Sequence, residues 1–515
     1  ARMASPVWKG SLKRLKIGTP LKWRAKFWEE DNGQMSAIAD ILAKIFGGFM
    51  LLYMGLVVLT YTGMLFFSFL EMRKQHKLDK SALDEDYSDS FYSKPLSIII
   101  PAYNEEVGVV DSIQSVLNLK YPQTELIVVN DGSTDQTQEI VIEQFRMKKI
   151  PKVVKEQIKS KPIIQVYQSE IHRNLYLIEK ENGGKADALN AGINFAKYPY
   201  FCSIDGDSLL DEKSLLRVMK PIIMSNEEVI AAGGNVRIAN GLDVQLGAVH
   251  HKKDLPNRPL VLMQIIEYTR AFMMGRLALA KFNLVLIISG AFSVFAKEWV
   301  IAVGGYSTQT IGEDMELVVK LHRYLRENNV DKRIEFVPDP VCWTEAPESF
   351  GVLRRQRRRW HQGLIESLVR HKVMTFNPKY GKIGMVSFPY FWLVECFGPL
   401  IELAGHIYVI IAFFLGRVYF EFAILLALLF ILYGSVLSAF SILMETWSVN
   451  VYGGTKNFFK LIIMSLTESF WYRPLTLIWR CEAFIHVLLG RRSWGHMKKV
   501  GLSKNPRPDG SELSK

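Results

Sequence analysis

The sequence predicts an α/β domain with a mostly parallel, Rossmann-like sheet, inserted between transmembrane α-helices, and three observations carry that expectation. The first is a run of 26 residues without a charge, Ile45 to Leu70. As a helix it is roughly 39 Å long, enough to cross a hydrocarbon core of about 30 Å with some tilt. The second is a set of further apolar stretches near the C-terminus, about Ile383 to Leu415, Phe422 to Met444 and Phe458 to Leu489. The third lies between them: from Pro95 to about Pro340, short β-branched apolar runs alternate with helical patterns, which is how strands covered by helices read.

Taken in order, the chain reads as a basic, amphipathic segment 1–44, a span 45–70, an α/β domain 78–345, an amphipathic interface helix 346–382, C-terminal transmembrane helices 383–490 and a basic tail 491–515. The first apolar run is too long and too far from the N-terminus for a signal peptide, and no small-residue cleavage site follows it, so the chain is expected to be retained in the membrane. Glu395 and Glu402 fall in the first C-terminal stretch, and Glu468, Arg473, Arg480 and Glu482 in the third. Such groups are costly in lipid and are expected to face a bundle interior or a polar path, although Arg473 and Arg480 could equally lie at an interface. A single N-terminal span before a cytosolic domain leaves Lys9 to Lys26 outside, against the positive-inside rule, and three C-terminal spans do the same for Arg491 to Lys499. Either the ends break the rule or one stretch is interfacial or re-entrant, with Phe458 to Leu489, interrupted by Pro474, the candidate.

The net charge of +12 comes with Lys and Arg clustered beside the apolar segments, at Lys9 to Lys26, Arg73 to Lys77, Arg354 to Arg359 and Arg491 to Lys499. That pattern suits membrane lipid headgroups and a polyanionic diphosphate better than nucleic acid. The four cysteines, Cys202, Cys342, Cys396 and Cys481, show no paired spacing and read as reduced packing residues.

Within the α/β domain, strands are expected at Leu96 to Ile100, Glu125 to Asn130, Leu175 to Ile178 and Tyr200 to Ile204, with helices running to Leu117, from Lys185 to Ala196 and from Glu313 through Leu325. Each strand ends in polar residues, where open α/β sheets bind ligands. The Lys-rich piece Lys148 to Lys161 is longer than a crossover needs and reads as a solvated or membrane-surface arm. Phe282 to Phe295 is too short to span a membrane and reads as a buried strand pair turning at Ser289-Gly290.

Several residues carry possible chemistry. Asp205-Gly206-Asp207 follows a strand, so two hard carboxylates can approach one Mg²⁺ or Mn²⁺; a surface turn would look the same. Asp131 also follows a strand and could receive a base or ribose, or could start an Asx turn in D-G-S-T-D. Lys185 opens a helix behind two glycines, where its ammonium and the free N–H groups could face phosphate oxygens, although a lone Lys there also reads as a solvated cap. Glu313-Asp314 opens another helix, where carboxylates are favoured by the dipole whatever their function, and one could be a general base. The helix begun at Pro347-Glu348-Ser349-Phe350 places Leu353, Trp360, Leu364 and Leu368 on one face with arginines around it, as a helix lying along a membrane surface does, and Arg359 and Trp360 could equally be ordinary interface anchors.

This ordered set resembles glycosyltransferase family 2, of the GT-A type, and specifically its processive membrane branch of cellulose, chitin, hyaluronan and poly-N-acetylglucosamine synthases. The resemblance covers about Pro95 to Val369. It rests on Asp131 in Val-Asn-Asp-Gly, the D-x-D of Asp205 and Asp207, the acidic pair Glu313-Asp314, and Q-x-x-R-W as Gln356-Arg357-Arg358-Arg359-Trp360. It implies that Tyr103, Glu105 and Asp131 hold a uridine, Lys185 and Asp205 the diphosphate, and Asp207 the metal, Mg²⁺ or Mn²⁺. It also implies that Asp314 is the base, that Gln356 and Arg359 grip the diphosphate, and that Trp360 and Glu313 meet the acceptor sugar. The implied activity is inverting polymerisation of a UDP-sugar into a β-linked polysaccharide at the plasma (inner) membrane, with a growing glycan as acceptor, no nucleic acid, and room for an accessory membrane subunit. Glu395 and Glu402 would then line the exit path. A non-processive enzyme adding one sugar to a lipid is the other enzyme reading, and a nucleotide-binding transporter or scaffold is the reading from another class. Gly312 departs from the Thr that many relatives carry there, which affects the acceptor contacts expected of this loop.

Overall fold

A computed structural model describes residues 21–82, 93–245, 247–250, 255–414, 420–448, 452 and 454–491. The basic N-terminus up to residue 20 and the basic tail beyond 491 lie outside the described residues. The chain divides into two compact units, residues 1–58 and 59–515, and a helix, α1, runs over Leu21–Ala82. Within α1, Ile41–Gln75 is long and apolar enough to cross a membrane.

In the larger unit the elements follow the expected alternation: β1 (Leu96–Ala102), α2 (Val109–Leu117), β2 (Thr124–Asn130), α3 (Thr137–Gln144), β3 (Met147–Ile150), β4 (Ile163–Ser169), β5 (Leu175–Lys180), α4 (Lys185–Phe195), β6 (Tyr200–Ile204), β7 (Leu209–Leu210), α5 (Ser214–Met224) and β8 (Val229–Ile238). After the small pair β9 (Asp243–Gln245) and β10 (Ala248–His250) come α6 (Pro259–Arg270), a π-helical segment Ala271–Arg276, α7 (Leu277–Lys281), β11 (Phe292–Ala296), α8 (Lys297–Ala302), α9 (Glu313–Glu327), β12 (Arg333–Thr344) and α10 (Phe350–Arg370). Ten strands form one sheet in the order β3-β4-β5-β2-β1-β6-β11-β8-β12-β7. The centre β5-β2-β1-β6 is parallel, and β4, β11 and β7 run against the strands beside them. Ile98, Ile99, Ile100, Ile127, Val128 and Val129 are fully buried, as continuous apolar runs covered on both faces must be. The α/β class expected from the sequence is the one observed.

Two local readings change. The Lys-rich piece is not a free arm: its ends join β3 and β4, an antiparallel edge, and the loop between them is pinned to α4. Asn194 Oδ1 accepts from the Gln157 and Ile158 backbone, and the Asp187 carboxylate from the Lys161 backbone. Its lysines are exposed while its backbone is anchored, a combination that residue spacing cannot reveal. Phe282 to Phe295 supplies one strand rather than two, because the carbonyls of Leu284 and Val285 are taken by the Ser387 hydroxyl and the His322 ring instead of by a ladder.

Beyond α10, Ile383–Cys396 and Gly398–Phe414 (α11) form an apolar pair bent by 42°, followed by α12 (Phe420–Ser448) and α13 (Thr455–Leu488). The break therefore falls in the 383–414 stretch, whereas Pro474 sits inside a continuous helix. Most ionisable groups here face protein partners. Glu468 meets Arg270, Arg473 and the Ser438 hydroxyl, and Glu395 meets Arg480 and the Tyr390 hydroxyl, while Glu402 is exposed.

Candidate active site

The parallel centre brings the C-terminal ends of β1, β2, β5 and β6 to one edge, and the chain places Tyr103, Asp131, Lys185 and Asp205 just past them. The β1 and β2 loops are bonded together: the Glu105 backbone N–H donates to Thr137 Oγ1 at 2.8 Å, and the Thr134 backbone N–H to Asn104 Oδ1 at 2.8 Å. Tyr103 is 46% exposed at this edge, available to a planar base.

The choice at Asp131 between a ligand and an Asx turn resolves into a third arrangement. Asn130, not Asp131, closes the turn, accepting the Ser133 N–H at 3.1 Å. Asp131 is 2% exposed and reaches across to the glycine loop, where Oδ1 accepts the Gly183 N–H at 3.0 Å and Oδ2 the Gly184 N–H at 2.7 Å. Its charge is met by Lys180, fully buried between Asp131 and Asp187. Asp131 thus fixes the loop that launches Lys185, and Lys180 is a site residue that the sequence reading missed. A lysine between two glutamates at a strand end reads as a solvated charge, so no signal marks it.

Lys185 lies 2.5 Å from Asp205 Oδ1 and 3.6 Å from Glu313 Oε1. Burial alone would depress its ammonium, but Asp205 and then Glu313 outweigh that and hold it well above the usual lysine range. Glu313 is 6% exposed. Burial pushes its carboxyl up to about 7, with Asp314 adding to the rise and Lys185 and Arg359 opposing it. Gly206 lets the D-x-D loop press on the end of β1, since a Cβ there would stand 3.1 Å from the Pro101 carbonyl and 3.3 Å from Glu105 Cγ. Asp314 Oδ1 accepts the Met315 N–H at 2.8 Å, and its Oδ2 lies against Gly290, 2.8 Å from where a Cβ would be.

From α10, Arg359 enters the same field. Burial lowers its pKa, while Glu313, Asp205, Asp314 and Asp207 all act to raise it. Gln356 Oε1 accepts from Arg357 at 2.6 Å, and Trp360 is 45% exposed, its ring 6.1 Å from that of Tyr268. Arg357, outside the expected set, is the buried anchor of the helix. It pairs with Glu267 through Nε at 3.1 Å and Nη2 at 2.5 Å, and its guanidinium lies 4.3 Å from the Trp360 ring centre. Arg354 and Arg358 both pair with Glu482 of α13, so these basic residues of the helix face protein partners. Arg276 also lies outside the expected set. Burial pushes it down to about 10, and Asp314 is the largest influence opposing this.

Lys185 and Arg359 therefore share the field of Asp205, Glu313 and Asp314, and Arg359 is also in that of Asp207. Among the described residues no three His, Cys, Asp or Glu side chains are grouped to hold a metal by themselves. The Asp205–Asp207 edge instead fits a hard divalent cation that takes one or two carboxylates and completes its shell with phosphate oxygens.

Residues 200–452 match the family model described as glycosyl transferase family group 2, and residues 97–160 that of glycosyl transferase family 2. The poly-beta-1,6-N-acetyl-D-glucosamine synthase of Staphylococcus epidermidis is 28% identical over 319 residues, 61% of this chain and 66% of that protein. The protein of the same description from Staphylococcus aureus strain COL is 29% identical over 294 residues, 57% of this chain and 60% of that one. The chain thus matches less than two thirds of these relatives' length. A mannosyltransferase from Pyrobaculum calidifontis, solved with GDP-Man and Mn²⁺, aligns with a TM-score of 0.47 at 19% identity, over 81% of this chain and 98% of that one.

Proposed function

We propose that this chain, which belongs to the family 2 glycosyltransferases, is a processive, inverting membrane synthase that extends a β-linked polysaccharide from a UDP-sugar and couples growth to export. The observation that carries this reading is the Lys185 contact with Asp205 and Glu313, with Arg359 in the field of the same carboxylates, because it joins motifs carried by β6, α9 and α10.

In this reading Tyr103 stacks on the uracil, while Glu105 and Asp131 shape the uridine site. Lys185, Gln356 and Arg359 neutralise the diphosphate as it leaves. Mg²⁺ or Mn²⁺, held by Asp207 with Asp205, would add charge neutralisation at the same oxygens. Asp314 accepts the proton of the attacking acceptor hydroxyl, with Glu313 beside it and the Trp360 ring against the terminal sugar. The catalytic domain faces the cytosol at the plasma (inner) membrane, α1 and the C-terminal helices form the membrane part, and Glu395 and Glu402 border the exit path. Similarity to the staphylococcal synthases supports N-acetylglucosamine as the first sugar to try.

The test is UDP release by the full chain in lipid vesicles across a panel of nucleotide sugars, with the product sized. Divalent-dependent release with one sugar and a long product is the expected result. A single added sugar on a lipid would replace this reading with a non-processive one, and no release with any donor would remove it.

A further inference from the structure

Arg359, Gly363, Glu366 and Arg370 follow one another at steps of four, three and four residues, so they form one stripe along α10. That stripe meets the segment leading into the acidic pair. Arg370 donates to Ser307 Oγ at 3.1 Å and to the Gln309 carbonyl at 3.4 Å. Glu366 Oε2 accepts from the Thr310 hydroxyl at 3.1 Å and from the Ile311 backbone N–H at 3.0 Å. Thr310 Oγ1 in turn accepts the Gly312 N–H at 3.2 Å, and Gly363 lies against Gly312. The other Glu366 oxygen accepts from Gln362 at 3.1 Å, and Gln362 also donates to the Arg491 carbonyl just past α13 at 3.1 Å.

We propose that Glu366 is a positioning residue, fixing the Thr310–Gly312 segment to α10 so that Asp314, Arg359 and Trp360 hold one mutual geometry. The inference rests on the functional reading above. Asp314 is carried by α9 and the other two by α10, so their relative placement depends on how the two helices are joined near the site. Oε2 serves a backbone donor and a side-chain donor at once, immediately before the Gly312 turn into α9. Glu366 touches no substrate in this scheme. Through Gln362 the same clamp is also bonded to the chain just past α13.

The experiment compares wild type, E366A and E366Q as full chains in vesicles. It reads kcat, acceptor KM, UDP affinity by calorimetry and thermal midpoint. Misplacement on the ångström scale costs on the order of 10²-fold, so E366A should lose about that in kcat with UDP affinity and midpoint near wild type. E366Q, which keeps an oxygen for Thr310 and Ile311, should recover most of the loss. The proposal is overturned if kcat of E366A stays at the wild-type value, or if UDP affinity and midpoint collapse with kcat and E366Q rescues nothing. Should E366A not fold, T310V deletes the Thr310 bond to Glu366 together with the one it accepts from the Gly312 N–H, and is judged by the same split between kcat and UDP affinity. Absent donor turnover in the wild type would instead count against the functional reading itself.

Discussion

Gly312 and Gly363 meet backbone to backbone: a Cβ on Gly312 would stand 2.8 Å from the Gly363 Cα, and one on Gly363 would stand 2.7 Å from the Gly312 Cα. Gly312 has φ −108°, a value open to any residue, so the requirement is space and not conformation. The departure from Thr at 312 is thus matched by a glycine on the facing helix. With neither side chain present, the start of α9 and the middle of α10 can touch.

Gly312→Thr should push these two helices apart. Overpacking a close contact costs about 1 to 3 kcal/mol, so the thermal midpoint should fall by several degrees, and polymer synthesis should fall with it as Asp314 moves from Arg359. Differential scanning fluorimetry beside UDP release checks both. Wild-type values for both would mean that the backbone yields at no cost.

Asp207→Asn should abolish Mg²⁺- or Mn²⁺-dependent turnover, since a neutral amide is a poorer ligand for a hard cation. Titrating each metal against UDP release reads this directly. Full activity in the variant, or in excess chelator, would sink the assignment.

Asp314→Asn keeps size and shape but removes the basic oxygen. Transfer should fall on the order of 10²- to 10⁴-fold, the usual worth of a positioned general base, while UDP still binds. Calorimetry and radiolabel incorporation on one preparation separate the two. Near-normal elongation would exclude Asp314 as base, and lost UDP binding would recast it as a donor ligand.

Glu313 gives a pH prediction. Burial raises its folded pKa to about 7, above the ordinary Glu value near 4.3. Between those values the folded chain holds a proton that the unfolded chain releases, so this group makes stability fall as pH rises through the window and then level off. Glu313→Gln should remove that part of the slope and gain midpoint relative to wild type at pH 8 more than at pH 5. Parallel midpoint curves for the two proteins would contradict it.

Lys180→Met should leave Asp131 and Asp187 buried without their shared cation. Removing one partner of a buried pair costs about 3 to 5 kcal/mol, and the Gly183–Gly184 loop should lose its anchor, weakening UDP binding along with stability. Denaturant unfolding and calorimetry report the two losses, and an unchanged UDP affinity would detach Lys180 from the donor site.

Much of this architecture could be read locally. β1, β2, β5 and β6 are covered on both faces and so appear as largely apolar runs, and the polar residues that close each run stand at the sheet edge where the site forms. The order of the motifs along the chain was enough to nominate Asp131, Lys185, Asp205, Asp207, Asp314 and Arg359 as a set. Their individual partners were not legible. D-G-S-T-D allows either Asn130 or Asp131 to close the turn, and only the approach of the Gly183–Gly184 loop decides that Asn130 does so and leaves Asp131 for that loop.

The α/β class, the long apolar helix and the strand-end placement of the polar motifs all follow from the order of the amino acids, because burial patterns and turn chemistry act over a few neighbouring residues. Folding in three dimensions was needed to make the Lys-rich segment an anchored edge, to draw one strand from Phe282 to Phe295, to bury Arg357 beside exposed Trp360 and to set Gly312 against Gly363. Each of these depends on a partner far along the chain, such as Asn194 for the edge, Ser387 and His322 for the single strand and Glu267 for Arg357. Contacts of that range are set by how sheet and helices stack, and no spacing within a segment encodes them.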